Sequence, residues 1–571
     1  MYNTPEPLAK SRVILNAFRN VFSLAAGAEL FRGGAGFVLH SPAKTAMSLL
    51  ARVFTDERRQ RCAVLFGRRA ITYAELRDET LRVGEVLSAL NVKRGDRVAL
   101  MLADSPEFIA SFAAIISLGA IAVPINLALR REEQLFILKD CGACAAILEG
   151  SVASGLFAGF VVSDDLKNLI LVQRGALTSA PEPAGIKVQL YETAEGTPTK
   201  HSLPESRGAD TGEAFILYTS GSTGEPKGAV HTQADIFYTN ETYCREVLKL
   251  REGDRLFSSS RLPFAYGLGN AFNFPLLNGF TTILCKEKPS AAVISQVFHD
   301  YRPTIFFGVP VVFRMLLEHH REVAQLDTAS LRLCISAGEA LPAHLGQEWE
   351  DTFGVQVLDG IGSTEMLHMF MSNHDGDLRY GSSGRLLQGY EARLIDHEGV
   401  GTPLGEAGNL WIRGASAASR YWNRAETSAQ TFVDGWVRTG DLYRCDEQSF
   451  WWHMGRSDDC FKASGQWVSP VEVEGVLIRS DSIRAAAVVE GRDADGLACV
   501  CAFVAMMDGY NCEAAENDLR TLCEKALPRF KRPRRYIFIK ELPYTATGKV
   551  QRFKLRDQLR SPDSQVPSPT L

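Results

Sequence analysis

The chain of 571 residues lacks any run of about 18 apolar residues, so no segment reads as a membrane span. Charge of one sign is missing too. Against 67 acidic residues stand 62 basic ones, a formal net charge of −5, which leaves no global cationic field for nucleic acid or an anionic membrane. The 12 cysteines are scattered: Cys141 and Cys144 form one CxxC and Cys499 and Cys501 one CxC, with no second pair at zinc spacing. They read as mostly buried, reduced thiols. The apolar stretch after Lys10 and Arg12 is broken by Asn16, Arg19 and Asn20 and makes a poor signal-peptide core, so the expected compartment is the cytoplasm.

What is present is globular. A hydrophobic content of 46% over this length is enough for several cores, usually divided among domains of about 100–200 residues. The stretch "RVALML" (97–102) reads as a strand, "ADSP" offers Asp104 or Ser105 as a helix cap with Pro106 in the first turn, and "EFIASFAAIISLG" reads as a helix ending at Gly119. "AIAVPIN" then returns as a strand, completing a βαβ unit. Similar pieces recur at "TIFFGVP" with "VVFRMLLEHH", and at "LRLCISAGEALP". The expected fold class is α/β: a large N-terminal domain of parallel-type sheets covered by helices, then Gly-punctuated antiparallel strands over about residues 378–454, then a small α+β unit. In such sheets ligands gather at the carboxyl ends of strands.

One loop of this kind stands out. Residues 218–228, "YTSGSTGEPKG", follow the apolar run "AFIL", and eight of the eleven are Ser, Thr, Gly or Lys. Glycines let backbone N–H groups approach a phosphate chain, hydroxyls add donors and a lysine supplies counter-charge. The loop is not a Walker motif, because Pro226 stands where the second glycine belongs, and it is not a GxSxG elbow. The alternative is a solvated, flexible turn.

This loop resembles the phosphate-loop signature of the adenylate-forming enzymes: acyl- and aryl-CoA ligases, luciferases and peptide-synthetase adenylation domains. "DGIGSTE" (359–365), "TGD" (439–441), "GRSDDCFKASGQWVSPVEVE" (455–474) and "LPYTATGKVQR" (542–552) resemble further signatures of that family, in its order, so the likeness runs from about residue 45 to 556. "FAYGLGNAFNFP" (264–275), "SAGEALP" and "DGIGSTEMLH" are most similar to the benzoate-CoA ligase branch.

The resemblance implies ATP, Mg²⁺ and coenzyme A, and a reaction in which an aryl carboxylate becomes aryl-AMP and then aryl-CoA. It assigns Thr219, Ser220, Gly221, Ser222, Thr223, Gly224 and Lys227 to the phosphates, Thr364 to the α-phosphate and Glu365 to Mg²⁺. Adenine is expected between Gly338, Glu339 and Ala340 and Asp359, Gly360 and Ile361. Asp441 and Arg456 are matched to the ribose contacts. Lys549 is matched to the lysine bridging substrate carboxylate and α-phosphate, and Asp458 to a hinge that brings Lys462 to Gly465 to the adenylate. The implied domains are an N-terminal extension (1–44), an adenylation core (45–457), a mobile C-terminal domain (458–560) and a disordered tail (561–571).

For the acid, the same pattern places Ala265, Tyr266 and Gly267 at the pocket, with an aromatic wall beside a small neighbour suiting a flat ring. His368 is expected to meet a ring substituent. The alternative for Tyr266 is a core tyrosine, and for Glu365 a solvated loop acid. The basic run "RFKRPRRYIFIK" (529–540) has two readings, a site for the 3′-phosphate of CoA or a solvated edge strand. The other acceptor to consider is the phosphopantetheine arm of an acyl carrier protein. A monomer or homodimer is expected, with no nucleic-acid or membrane partner.

Overall fold

The computed structural model describes residues 31–32, 49–157, 165–172, 185–191, 212–219, 225–323, 326–463, 466–493, 496–507, 509–544 and 550–560. The expected disordered tail, and all of the N-terminal extension except Phe31–Arg32, lie outside these residues, as do Ser220, Gly221, Ser222, Thr223, Gly224, Gly465 and Lys549. The described residues form two compact units, one within residues 31–392 and 412–438, the other within residues 393–411 and 439–560.

The larger unit holds two sheets. In the seven-stranded one, Arg97–Met101 lies between Ile121–Pro124 and Ala145–Glu149, all parallel, and Glu213–Thr219 follows Ile121–Pro124 toward the edge strand Lys227–Thr232. The expected βαβ unit is there. Ser105 caps the helix Pro106–Ser117, its Oγ accepting from the Phe108 amide at 3.3 Å, and the chain leaves that helix at Gly119 with φ of +74°. Asp104 is not the cap. It is buried and accepts from the Leu262 amide at 3.0 Å, and burial raises its carboxyl to about 6. Every residue of this helix is buried, which explains its lack of a polar face. Phe112 packs on Phe215 at 5.6 Å and on Phe272 at 5.1 Å, so truncating it to Ala would cost about 3–5 kcal/mol.

In the nine-stranded sheet, Arg255–Ser258, Ile305–Gly308, Leu333–Ser336 and Val357–Gly362 run parallel side by side. Their carboxyl ends therefore open on one edge of the sheet, the place where such sheets bind ligands. Antiparallel strands close both ends: Met369–Ser372 and Arg385–Leu386 at one, Arg69–Thr72 at the other. Phe31 and Arg32 pair antiparallel with Ala392 and Glu391.

The smaller unit contains an antiparallel pair between Trp436–Cys445, from Thr439 onward, and Trp451–Arg456, as the Gly-punctuated texture predicts. A three-stranded sheet follows, of Ile483–Arg492, Ala498–Met506 and Arg535–Ile539, with helices Pro470–Leu477, Cys512–Ala526 and Arg552–Arg560. Arg552 clamps Glu474 with contacts of 2.7 and 2.9 Å, and Glu474 also accepts from the Val488 amide at 2.7 Å. This partly buried pair ties two helices and a strand into one body. Among the described residues no helix is long and apolar enough to cross a membrane.

Candidate active site

The Ser/Thr/Gly loop joins two antiparallel strands rather than a strand and a helix. Thr219 ends one strand and Lys227 begins the next, and the two are register partners. A side chain at Gly228 would place Cβ 2.6 Å from Ile216 and 2.9 Å from the Tyr218 ring, so the glycine permits this tight pairing. The Tyr218 hydroxyl donates to Asp140 at 2.6 Å, fixing the strand from its other side.

Five of the implied nucleotide residues, and the histidine expected at the ring, come from one continuous stretch. Strand Val357–Gly362 delivers Asp359, Gly360 and Ile361; Ser363 caps a short turn, Thr364–Met366, that carries Thr364 and Glu365; His368 follows. The stretch is bent sharply. Leu367 has φ of +64°, and the His368 amide donates back to the Met366 carbonyl at 2.8 Å, a γ-turn of the strained, positive-φ type. Cβ atoms at Gly360 and Gly362 would each lie 2.5 Å from a carbonyl oxygen, of Met371 and His368 respectively, so this bend needs both glycines.

The loop holding Gly338, Glu339 and Ala340 is tied to the same strand. Oδ2 of Asp359 accepts from the Leu341 amide at 3.2 Å, and Gly338 turns with φ of +90°. Asp359 is buried, and burial pushes its carboxyl up to about 8.

Beyond the bend lies an aromatic cluster. His368 is buried between Tyr243, Phe274 and Tyr266, at centroid distances of 4.7, 4.7 and 5.6 Å. Burial lowers its imidazole to about 3, so the ring is neutral near pH 7. Its Nε2 stands 3.1 Å from Oδ1 of Asn270; with that oxygen accepting, Nε2 carries the proton, and Nδ1 has no partner among the described residues. Tyr266 is partly buried, and its hydroxyl sits 3.4 and 3.3 Å from the carbonyl oxygens of Gly308 and Ile335 at the carboxyl ends of two strands. Ala265 is buried beside it, and Gly267 allows a close approach, since a Cβ there would lie 2.0 Å from the Arg261 carbonyl oxygen.

Sequence reading missed the residues that hold the Thr364–Glu365 turn. Oε1 of Glu365 accepts from the Tyr421 hydroxyl at 2.6 Å, and its main-chain carbonyl accepts from the Ala418 amide at 2.7 Å. His231 contacts the Thr364 carbonyl oxygen at 2.8 Å. The His231/Asp235 spacing of four on a helix start was a usable signal; nothing near Tyr421 in the sequence points to Glu365.

In the smaller unit, Asp441 and Arg456 are register partners, and Arg456 Nη1 lies 3.1 Å from Asp441 Oδ1 while donating to the Thr439 carbonyl at 2.9 Å. His453 Nε2 stands 3.6 Å from the same carboxylate. Asp458 is exposed, and Lys462 is exposed on the short strand Phe461–Ala463. Arg535–Ile539 is an edge strand, as the second reading of the basic run expects, and Arg534 pairs with Asp493 at 2.7 Å.

A divalent cation fits the larger unit's site. Oε2 of Glu365 makes no hydrogen bond among the described residues, and one carboxylate oxygen joined by phosphate oxygens is a donor set that suits Mg²⁺. No cluster of three metal-ligating side chains is found among the described residues, so the nucleotide would have to complete the shell.

The profile of the AMP-binding enzyme family matches residues 52–422, and that of the AMP-binding enzyme C-terminal domain matches residues 472–549. The chain is 40% identical over 488 residues to the benzoate–CoA ligase of Thauera aromatica, covering 85% of this chain and 90% of that protein. It is similar to the crystal structure of the anthranilate CoA ligase AuaEII in complex with anthranoyl-AMP, with a TM-score of 0.84, 36% identity, and coverage of 90% and 98% of the two chains. A benzoate CoA ligase from Burkholderia xenovorans LB400 superposes with a TM-score of 0.78 and 36% identity, covering 89% of this chain and all of that one.

Proposed function

The chain belongs to the AMP-binding enzyme family, and on that basis we propose that it joins a flat aromatic carboxylic acid to coenzyme A through an aryl-adenylate, consuming ATP. One observation carries this reading: the single stretch from Asp359 to His368 has nucleotide-type residues at one end and a buried aromatic cluster at the other. Such a stretch sets an aryl carboxylate and a triphosphate at a fixed spacing, which is what a bimolecular attack needs.

In this reading a carboxylate oxygen of the acid attacks the α-phosphorus, the bond to pyrophosphate breaks, and the thiol of CoA then attacks the acyl carbon and expels AMP. Thr219, Lys227 and the intervening loop hold the phosphates, and Thr364 holds the α-phosphate. Mg²⁺, held by Glu365, would neutralise charge developing on the phosphate oxygens. Asp441 accepts from the ribose hydroxyls with Arg456 beside it. Lys549 bridges carboxylate and phosphate in the first half-reaction, and rotation about Asp458 replaces it by the segment from Lys462 to Gly465 in the second. The protein would work in the cytoplasm, on reduced CoA.

The test is pyrophosphate release with MgATP across benzoate, hydroxybenzoates, aminobenzoates and octanoate, with and without CoA. Turnover with aryl acids, multiplied by CoA, is the expected result, with octanoate far poorer. Release held to one turnover despite CoA would point to a carrier protein as acceptor, and none with any aryl acid would refute the reading.

A further inference from the structure

Tyr421 sits between the two charged residues assigned to the nucleotide's phosphates. Its hydroxyl donates to Oε1 of Glu365 at 2.6 Å, and Lys227 Nζ stands 5.9 Å from the centre of its ring. Among the described residues Lys227 makes no ion pair, and Glu365 has this hydroxyl as its one side-chain partner. A lysine and a glutamate this close to one aromatic ring would otherwise be free to collapse onto each other, which would cost both their phosphate and metal contacts.

The tyrosine is itself firmly placed. Residues 418–422 run beside the strand Lys227–Thr232: the Trp422 amide donates to the Gly228 carbonyl at 2.7 Å, the Val230 amide to Arg420 at 3.0 Å and the Ser419 amide to Val230 at 3.0 Å. Tyr421 bridges Ala229 directly, and its own amide donates to Ser428 Oγ at 2.9 Å. The ring is 6% exposed and packs on Phe432 at 5.2 Å. The strand that begins with Lys227 thus carries, through this strap, the group that orients Glu365.

We infer that Tyr421 is a positioning residue: its ring keeps Lys227 apart from Glu365, and its hydroxyl engages one carboxylate oxygen so that the other faces a divalent cation brought by the nucleotide. The inference rests on the proposed roles of Glu365 and Lys227. A partner that orients a metal-binding carboxylate is typically worth about 10–100-fold in metal affinity.

The experiment is calorimetric titration of ATP into the full chain, with and without Mg²⁺ and with no acid present, so its outcome does not depend on which acid the enzyme takes. Tyr421→Phe keeps the ring and removes the hydroxyl. It is expected to reduce the gain in ATP affinity from Mg²⁺ by about tenfold while leaving the Mg²⁺-free affinity unchanged. Tyr421→Leu, which also removes the ring, is expected to weaken both. In a Glu365→Ala background, Tyr421→Phe should have no further effect. A wild-type Mg²⁺ response in Tyr421→Phe, equal losses with and without Mg²⁺, or an additive loss on Glu365→Ala would each overturn the inference while leaving the metal role of Glu365 in place. A wild-type Mg²⁺ response in Glu365→Ala would overturn both.

Discussion

Nε2 of His231 lies 2.8 Å from the carbonyl oxygen of Thr364, while its Nδ1 lies 2.8 Å from Oδ2 of Asp235. A carbonyl can only accept, so Nε2 donates to it, and the imidazole joins the Thr364 turn to the strand that starts at Lys227. The ring is fully buried and stacks on Phe215 at 5.3 Å. The strand that starts at Lys227 and the Thr364 turn are therefore built as one piece.

Replacing His231 by Leu would remove both bonds and leave the Asp235 carboxylate buried with only Thr232 as partner among the described residues. Breaking a buried pair from one side typically costs about 3 kcal/mol or more. Urea unfolding should show a loss of that size, and a loss below about 1 kcal/mol would mean that the pair contributes little.

Asp359 offers a pH signature. Burial raises its carboxyl from the ordinary 3.8 to about 8, against the Leu341 amide bond that works the other way. Between those values the folded chain keeps a proton that the unfolded chain has released, so this group's contribution to stability is full below about pH 4 and declines as pH rises toward 8. Asp359→Asn is neutral in both states. Without ligand it should match wild type near pH 4 and exceed it at pH 8 by on the order of 5 kcal/mol. Thermal unfolding across that range checks the slope, and parallel curves for the two proteins would refute the assignment.

His368 presents a neutral ring whose Nδ1 lone pair has no partner among the described residues. If it meets a hydroxyl or amino group on the substrate ring, His368→Phe should lower kcat/KM for the best substituted benzoate by about tenfold and spare benzoate. Equal losses for both acids would assign His368 to packing alone.

Lys549 is expected to act in only one half-reaction. Lys549→Ala should abolish pyrophosphate release, yet leave thioester formation from supplied aryl-AMP and CoA largely intact. Equal loss in both steps would remove the assignment.

Much of the fold was legible in the chain. The βαβ unit around Pro106, the later strands ending at Gly308 and Ser336, and the small C-terminal α+β unit follow from local signals: a cap, an N-terminal proline, a terminating glycine and apolar runs of strand length. The site was legible where its residues are neighbours in sequence, as in the stretch from Asp359 to His368, because a turn chemistry and the side chains it presents are written in the same few residues.

Other relationships are long-range, and no local pattern carries them. That Thr219 and Lys227 face each other depends on an antiparallel pairing whose glycine must fit against Ile216 and Tyr218. The hold of Tyr421 on Glu365 and of His231 on Thr364 spans 56 and 133 residues. Sequence by itself determined the family chemistry, since that rests on residue types at short spacing. Only the tertiary structure decided which buried hydroxyl and which imidazole orient those residues, because hydrogen bonds of about 3 Å are set by how separate elements pack.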